Sequence, residues 1–170
     1  MISEKMRASI NAQVVNELHS STAYLSVASW LEGQGWKILG AHFFKQSQEE
    51  RAHALKFIRY LLEVGAPVEI GPIPAVVNTF ESVEAAVEAS LAQEAEVTRQ
   101  INALMGLAHD ERDFATVSFL KWFVDEQVEE MSSMSELLQL IRHAGKDRLI
   151  LVEDRLMRQP VGDGGTGPGE

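Results

Sequence analysis

Proline placement constrains this chain more than any other feature. The five prolines are Pro67, Pro72, Pro74, Pro160 and Pro168, so residues 1–66 and 75–159 run without one. Within 75–159 the only glycines are Gly106 and Gly145. Proline breaks helix interiors and glycine weakens them, so such stretches read as helices. No stretch shows strand-like alternation bounded by hairpin turns. With 170 residues, 45% of them apolar, the chain suits one domain with a sizeable core. The expected fold class is all-α.

The breakers and caps divide the chain into five helices. The first starts near Ser3, has Glu4 in its first turn and stops at Gly33. The second runs from about Trp36 to Val64 and stops at Gly65. Ser82 is the expected N-cap of a third, which has Glu84 in its first turn and ends between Gly106 and Asp110. A fourth spans about Arg112 to His143, with Gly145 as its stop. A short fifth covers about Asp147 to Met157. Short turns make helices one and two antiparallel, and likewise three and four. The link 65–81 is mostly extended and reaches up to about 55 Å at about 3.3 Å per residue. Each long helix measures about 40 Å or more at about 1.5 Å per residue. The link can therefore traverse the bundle and set helices two and three parallel. The expectation is a four-helix bundle with one long crossover and a short C-terminal fifth helix, over residues 1–158. Residues 159–170 end in PVGDGGTGPGE, a composition expected of a disordered tail.

Residues seven apart share nearly one helix face. The columns are Ile10, Glu17, Tyr24, Leu31 in helix one and Phe43, Glu50, Phe57, Val64 in helix two. They are Val87, Glu94, Ile101, Ala108 in helix three and Phe123, Glu130, Leu137 in helix four. One glutamate interrupts each apolar column near its middle, and midpoints share a layer in such a bundle. His53 follows Glu50 at i+3 and reaches the same side. A second column of helix four, Leu120, Gln127, Met134, Ile141, brings Gln127 to that level. No column contains Lys or Arg. One buried glutamate is commonly satisfied by a hydrogen bond. Four in one layer repel one another, and protonation, ordered water or a multivalent cation must absorb the cost; a cation does so most naturally. Carboxylates plus one imidazole select iron, manganese or adventitious zinc. Two ions are expected: one held by Glu17, Glu50 and His53, the other by Glu50, Glu94 and Glu130, with Glu50 as bridge.

Several classes are disfavoured. The chain has no cysteine, which excludes disulfides, zinc–thiolate sites, iron–sulfur clusters and thiol catalysis. Its 15 Lys and Arg against 25 Asp and Glu leave −10 with His neutral. That balance disfavours nucleic acid and anionic membranes and favours cations. The start, MISEKMRASINAQ, has no apolar signal core, and no apolar run is long enough to span a membrane. A cytoplasmic location is expected.

The chain resembles the bacterial non-haem ferritins of the di-iron ferritin-like family. The matching pieces are NELHSSTAYL around Glu17 and Tyr24, QEERAH at 48–53, QEAEV around Glu94, and FLKWFVDEQVEE at 119–130. They occur in order over about residues 5–157. The resemblance implies a shell of twenty-four subunits, a ferroxidase centre in each bundle and ferric mineral stored inside. It implies iron as the metal, Fe(II) as substrate, and dioxygen or hydrogen peroxide as oxidant. Bacterioferritins, rubrerythrins and ribonucleotide reductase subunits carry two Glu-x-x-His pairs. Here only Glu50–His53 is present, because the position three beyond Glu94 is Val97 and helix four reads Glu126, Gln127, Val128, Glu129, Glu130, with no His. The haem methionine of bacterioferritins would follow Glu50, where this chain has Arg51 and Ala52, so no haem is expected.

By the same resemblance, Glu49, Glu126 and Glu129 join Glu130 at a third iron site, although glutamates on a helix flank are ordinarily just solvated. Tyr24 resembles the family's tyrosine beside the centre; it either serves a ligand and the oxygen chemistry or is a core aromatic with a satisfied hydroxyl. Gln127 either positions an oxygen species at the metals or completes a hydrogen-bond network. His19, His42, His109 and His143 are expected to be surface or structural. Asp110, Glu111 and Asp113 lie where the family has a threefold pore, and either guide Fe(II) or simply solubilise the turn. Leu149, Ile150, Val152 and Leu156 of the fifth helix meet other subunits or fold back on the bundle. The competing functions are a non-storage di-iron or di-manganese oxidase or peroxide scavenger of this fold, and a structural shell subunit with a vestigial site.

Overall fold

The computed structural model describes residues 2–161, and no strand occurs among them. Four long helices form: α1 (Glu4–Gly33), α2 (Lys37–Glu63), α3 (Val83–Asp110) and α4 (Phe114–Ala144). A 3₁₀ turn at Lys146–Arg148 leads into α5 (Leu149–Arg158). α1 packs on α2, α3 on α4, and α1 on α3, while α5 sits against α2 and α4.

The boundaries follow from local chemistry. Ser3 accepts a bond from the Met6 N–H at 2.9 Å, and Ser82 from the Ala85 N–H at 3.0 Å. α4 begins two residues later than the sequence suggests. Arg112 adopts a left-handed backbone, φ 54°, and cannot start a helix. Asp113 then caps, taking the Thr116 N–H at 3.1 Å. Gly145, at φ 70°, turns the chain out of α4. α2 has no cap of its own, because Trp36 offers no acceptor. Glu153 of α5 supplies one from far along the chain: its Oε1 accepts from the Ile38 and Leu39 N–H groups at 2.8 and 3.2 Å.

The crossover does span the bundle, running beside α1. Asn11 fixes its start by donating to the Pro67 carbonyl and accepting from the Glu69 N–H, at 3.2 and 2.7 Å. Arg7 pairs with Glu69 at 2.6 Å. The His19 ring reaches the Pro74 carbonyl at 3.3 Å, and Ser26 donates to the Val77 carbonyl at 2.7 Å. α1 and α2 come very close. Ser21 and Ser47 each donate to the other's carbonyl at 2.7 Å. A Cβ at Gly40 would lie 3.2 Å from the Ala28 carbonyl oxygen, tighter than ordinary packing.

The core is two apolar clusters rather than one. The first gathers Tyr24, Leu31, Phe43, Met134, Leu137 and their neighbours, together with Leu149, Val152 and Leu156 of α5. The second gathers Met6, Ile10, Phe57, Ile101, Leu120 and Phe123. α5 thus folds back on its own bundle through Leu149, Val152 and Leu156, leaving Ile150, Leu151 and Met157 exposed. Val161, beyond the end expected for the folded part, is buried in the first cluster. The remainder of the expected tail, 162–170, lies outside the described residues.

Candidate metal centre

A polar layer separates the two clusters. Glu17, Glu50 and Glu94 are each 1% exposed, Gln127 3%, His53 5% and Glu130 8%. Each of the four long helices contributes a glutamate, as the columns predict. Ligand atoms of Glu17, Glu50 and His53 lie within 4.8 Å of one another, and so do those of Glu50, Glu94 and Glu130. Glu50 belongs to both groups. His53 Nδ1 lies 3.8 Å from a carboxylate oxygen of Glu50 and 3.8 Å from one of Glu130.

The surrounding bonds orient one oxygen of Glu17 and of Glu94 and leave the other bare. Gln13 Nε2 donates to Glu17 Oε1 at 2.8 Å. The Tyr24 hydroxyl donates to Glu94 Oε1, and Gln127 Nε2 to Glu130 Oε2. Gln127 is itself held by Thr98, whose hydroxyl donates to its Oε1 at 2.8 Å. Glu17 Oε2, Glu50 Oε2 and Glu94 Oε2 are buried without a hydrogen-bond partner. Buried acceptors left unpaired are costly, and three in one layer mark a place built for something that accepts their electrons.

The titration behaviour has the same cause. Burial lifts Glu17 and Glu94 from 4.5 to about 7, with the bonds from Gln13 and Tyr24 opposing the rise. Glu50 and Glu130 are pushed well above the carboxylate range, by burial first and then by their acidic neighbours. Burial, helped by the charge of Lys56, lowers His53 from 6.5 to about 4. Tyr24 is raised well above its usual value by burial and by Glu94 and Glu50. Without a cation the layer holds its protons near neutrality, and a divalent ion must displace them.

The flanking acids separate. Glu126 forms a further group with His53 and Glu130, again within 4.8 Å. Half-buried, it is raised by burial and by the charges of Glu129 and Glu49. Those two are outside the group. Glu129 is exposed, and Glu49 accepts from Gln46 and lies 3.7 Å from Lys45. The turn acids make structural bonds: Glu111 accepts from the Ser3 hydroxyl at 2.7 Å, and Asp113 caps α4. His42 stands edge-on to Phe43, and His109 and His143 sit in the last turns of α3 and α4. Sequence reasoning missed Gln13 and Thr98. Both lie four residues from a core glutamate on its own helix, a spacing that could have disclosed them. It also missed Trp122, whose ring stands edge-on to His53 with centroids 5.4 Å apart.

Comparison with known proteins agrees with this architecture. The ferritin-like domain family matches residues 7–144. Ferritin BfrB of Mycolicibacterium smegmatis is 37% identical over 155 residues, 91% of this chain and 85% of that protein. The bacterial non-heme ferritin of Staphylococcus aureus is 33% identical, covering 86% of this chain and 89% of its own length. Among solved structures, an open pore ferritin from the archaeon Archaeoglobus fulgidus superposes with a TM-score of 0.90 at 35% identity. It covers 92% of this chain and 97% of its own. Helix order, the long crossover and the similarity over nearly the whole chain lead to one conclusion: the chain belongs to the ferritin family.

Proposed function

We propose that this protein is an iron-storage ferritin with its own ferroxidase centre, in which Glu17, Glu50, His53, Glu94 and Glu130 bind two Fe(II) ions as substrate. The observation that carries this reading is the layer of four glutamates from four helices, with three oxygens unpaired and no basic side chain among the core columns. Glu17, Glu50 and His53 hold one ion, and Glu50, Glu94 and Glu130 the other. Carboxylates stabilise Fe(III) over Fe(II), so the ligand set favours electron loss. Two ions each give one electron to dioxygen, which takes up two protons and leaves as hydrogen peroxide. Peroxide can serve as oxidant in its place. The product, Fe(III), passes to mineral inside a closed shell of identical subunits.

The chain's own groups divide the work. Gln13 and Tyr24 hold Glu17 and Glu94 by one oxygen each and leave the other free for iron. Thr98 orients Gln127, which orients Glu130. His53 is neutral at physiological pH and presents a lone pair. Glu126 and Glu130, with His53 and aided by Glu49 and Glu129, provide a third, outer position for iron. No helix of the described residues is long and apolar enough to cross a membrane, in keeping with a shell in the cytoplasm.

The deciding experiment combines rate and size. Stripped protein receives two Fe(II) per subunit in air, and the ferric absorbance is followed by stopped flow. Larger additions are then followed by sizing and electron microscopy. Fast oxidation with mineral cores in a large particle is the expected result. Oxidation by a species no larger than a dimer would instead indicate a non-storage oxidase.

A further inference from the structure

A lysine stands at the lip of the centre. Lys56 follows His53 by three residues on α2, so both side chains leave the helix on one side. Its Nζ lies 3.4 Å from the centroid of the Trp122 ring, the same ring that stands edge-on to His53. An aromatic face holds an ammonium through its quadrupole and leaves the charge in place. That charge is felt by what surrounds it. Glu126 lies one turn beyond Trp122 on α4, and the charges acting on it are Glu129, Glu49 and Lys56. Lys56 responds to Glu126 in return.

We propose that Lys56 is a tethered counter-charge that sets the affinity of the outer metal position formed by His53, Glu126 and Glu130, with a smaller effect, through the shared ligand His53, on the inner position beside it. This rests on reading the layer as an iron centre. The inner positions use Glu17, Glu50, Glu94 and Glu130 with His53, whereas Glu126 occurs only in the outer group. An ammonium near Glu126 cancels part of the negative potential that would hold a third divalent ion, and it repels the ion directly. The carboxylate therefore keeps its place as a ligand but binds loosely. Loose binding suits a position that iron passes through on its way from the inner pair toward the shell interior. Trp122 has a definite part in this: by stacking, it keeps the lysine from swinging into solvent.

The test uses the assembled protein and two variants, Lys56→Met and Lys56→Arg. Anaerobic calorimetric titration with Fe(II) counts the equivalents and their affinities. In Lys56→Met the third equivalent is expected to tighten about tenfold, and by more than either of the first two. The difference should shrink as salt is raised, because the group is at the protein surface. Lys56→Arg keeps the charge and the stacking and should match the unsubstituted protein. A third equivalent that does not move in Lys56→Met overturns the proposal. So does an equal shift in Lys56→Arg, which would show that packing on Trp122 matters and charge does not. If the unsubstituted protein fails to bind the first two equivalents, the reading of the layer as an iron centre falls, and this proposal with it. Binding of those two with an unmoved third refutes the lysine's role alone.

Discussion

Replacing Glu50 by Gln should stabilise the metal-free protein above neutral pH while abolishing rapid iron oxidation. Glu17 and Glu94 ionise at 4.5 when unperturbed and near 7 when folded. A folded value above the unfolded one means that the stability is fully present below about pH 4.5. It is then lost as pH rises through about 7. Taken singly, each group accounts for about 3 kcal/mol. The two share one layer and like charges raise each other's cost, so the combined loss is larger than that of either alone. Glu50 faces Glu130, Glu94 and Glu17, and its own ionisation is pushed well upward by burial and those charges. Close to the unperturbed value of 4.5 this linkage has had little range in which to act, and Gln is nearly isosteric with the acid, so at pH 5 the variant and the original should unfold nearly alike. As pH rises the unfolded chain gains by ionising Glu50 while burial and the neighbouring acids resist it in the fold, a cost Gln never meets, so at pH 8 the variant should be the more stable of the two. The assay is the denaturant midpoint of chelator-treated protein at pH 5 to 8, measured for both. In parallel, stopped-flow oxidation at two Fe(II) per subunit should collapse in the variant, since Glu50 is in both inner groups. Equal pH slopes for the two proteins would refute the reasoning about crowded acids. Fast oxidation surviving in Glu50→Gln would refute the bridging assignment.

Glu129→Ala should spare the first fast phase of oxidation and alter later turnovers, as seen in successive additions of Fe(II), because Glu129 is exposed and outside both inner groups. Glu153→Ala should cost about 2–3 kcal/mol by leaving two α2 N–H groups without an acceptor; Glu153→Gln should recover part of it, and proteolysis within α5 reports the loosening. Ending the chain after Val161 should leave shell formation and oxidation unchanged. Ending it after Gln159 also removes the buried Val161 side chain and should lower stability by about 1–2 kcal/mol in thermal unfolding.

Periodicity made the centre legible before any coordinates. A residue seven positions from two apolar neighbours has almost no choice of face, so Glu17, Glu50, Glu94 and Glu130 could each be placed on the core side from their own helix alone. Their convergence then needed only short turns and one long link. The i+3 partner His53 followed from the same local geometry. Helix limits were readable wherever the stop was a glycine at positive φ or the cap a serine. They were misread where a side chain overrode composition, as at Arg112 and Asp113, where the cap displaced the start of α4.

Interactions between residues distant in the chain leave no such periodic trace. The cap of α2 comes from Glu153, on a helix more than a hundred residues later, and in sequence that glutamate is one more charge on an amphipathic segment. Lys56 and Trp122 have ordinary surface spacings, and their stacking depends on how closely α2 and α4 approach. The membership of the outer group is the same kind of fact. Glu49, Glu126 and Glu129 carry identical chemistry on helix flanks, yet only Glu126 is carried inward far enough to meet His53 and Glu130. What selects it is position on the helix: Glu126 precedes Glu130 by four residues and so shares its face, whereas Glu129 is rotated toward solvent. Helical period thus sets the inner ligands and puts Glu126 on the face of Glu130, while inter-helix packing brings His53 to that pair and Lys56 to Trp122. Substitutions on the core columns should change iron stoichiometry, and substitutions around Lys56, Trp122 and Glu126 should change how firmly the last ion is held.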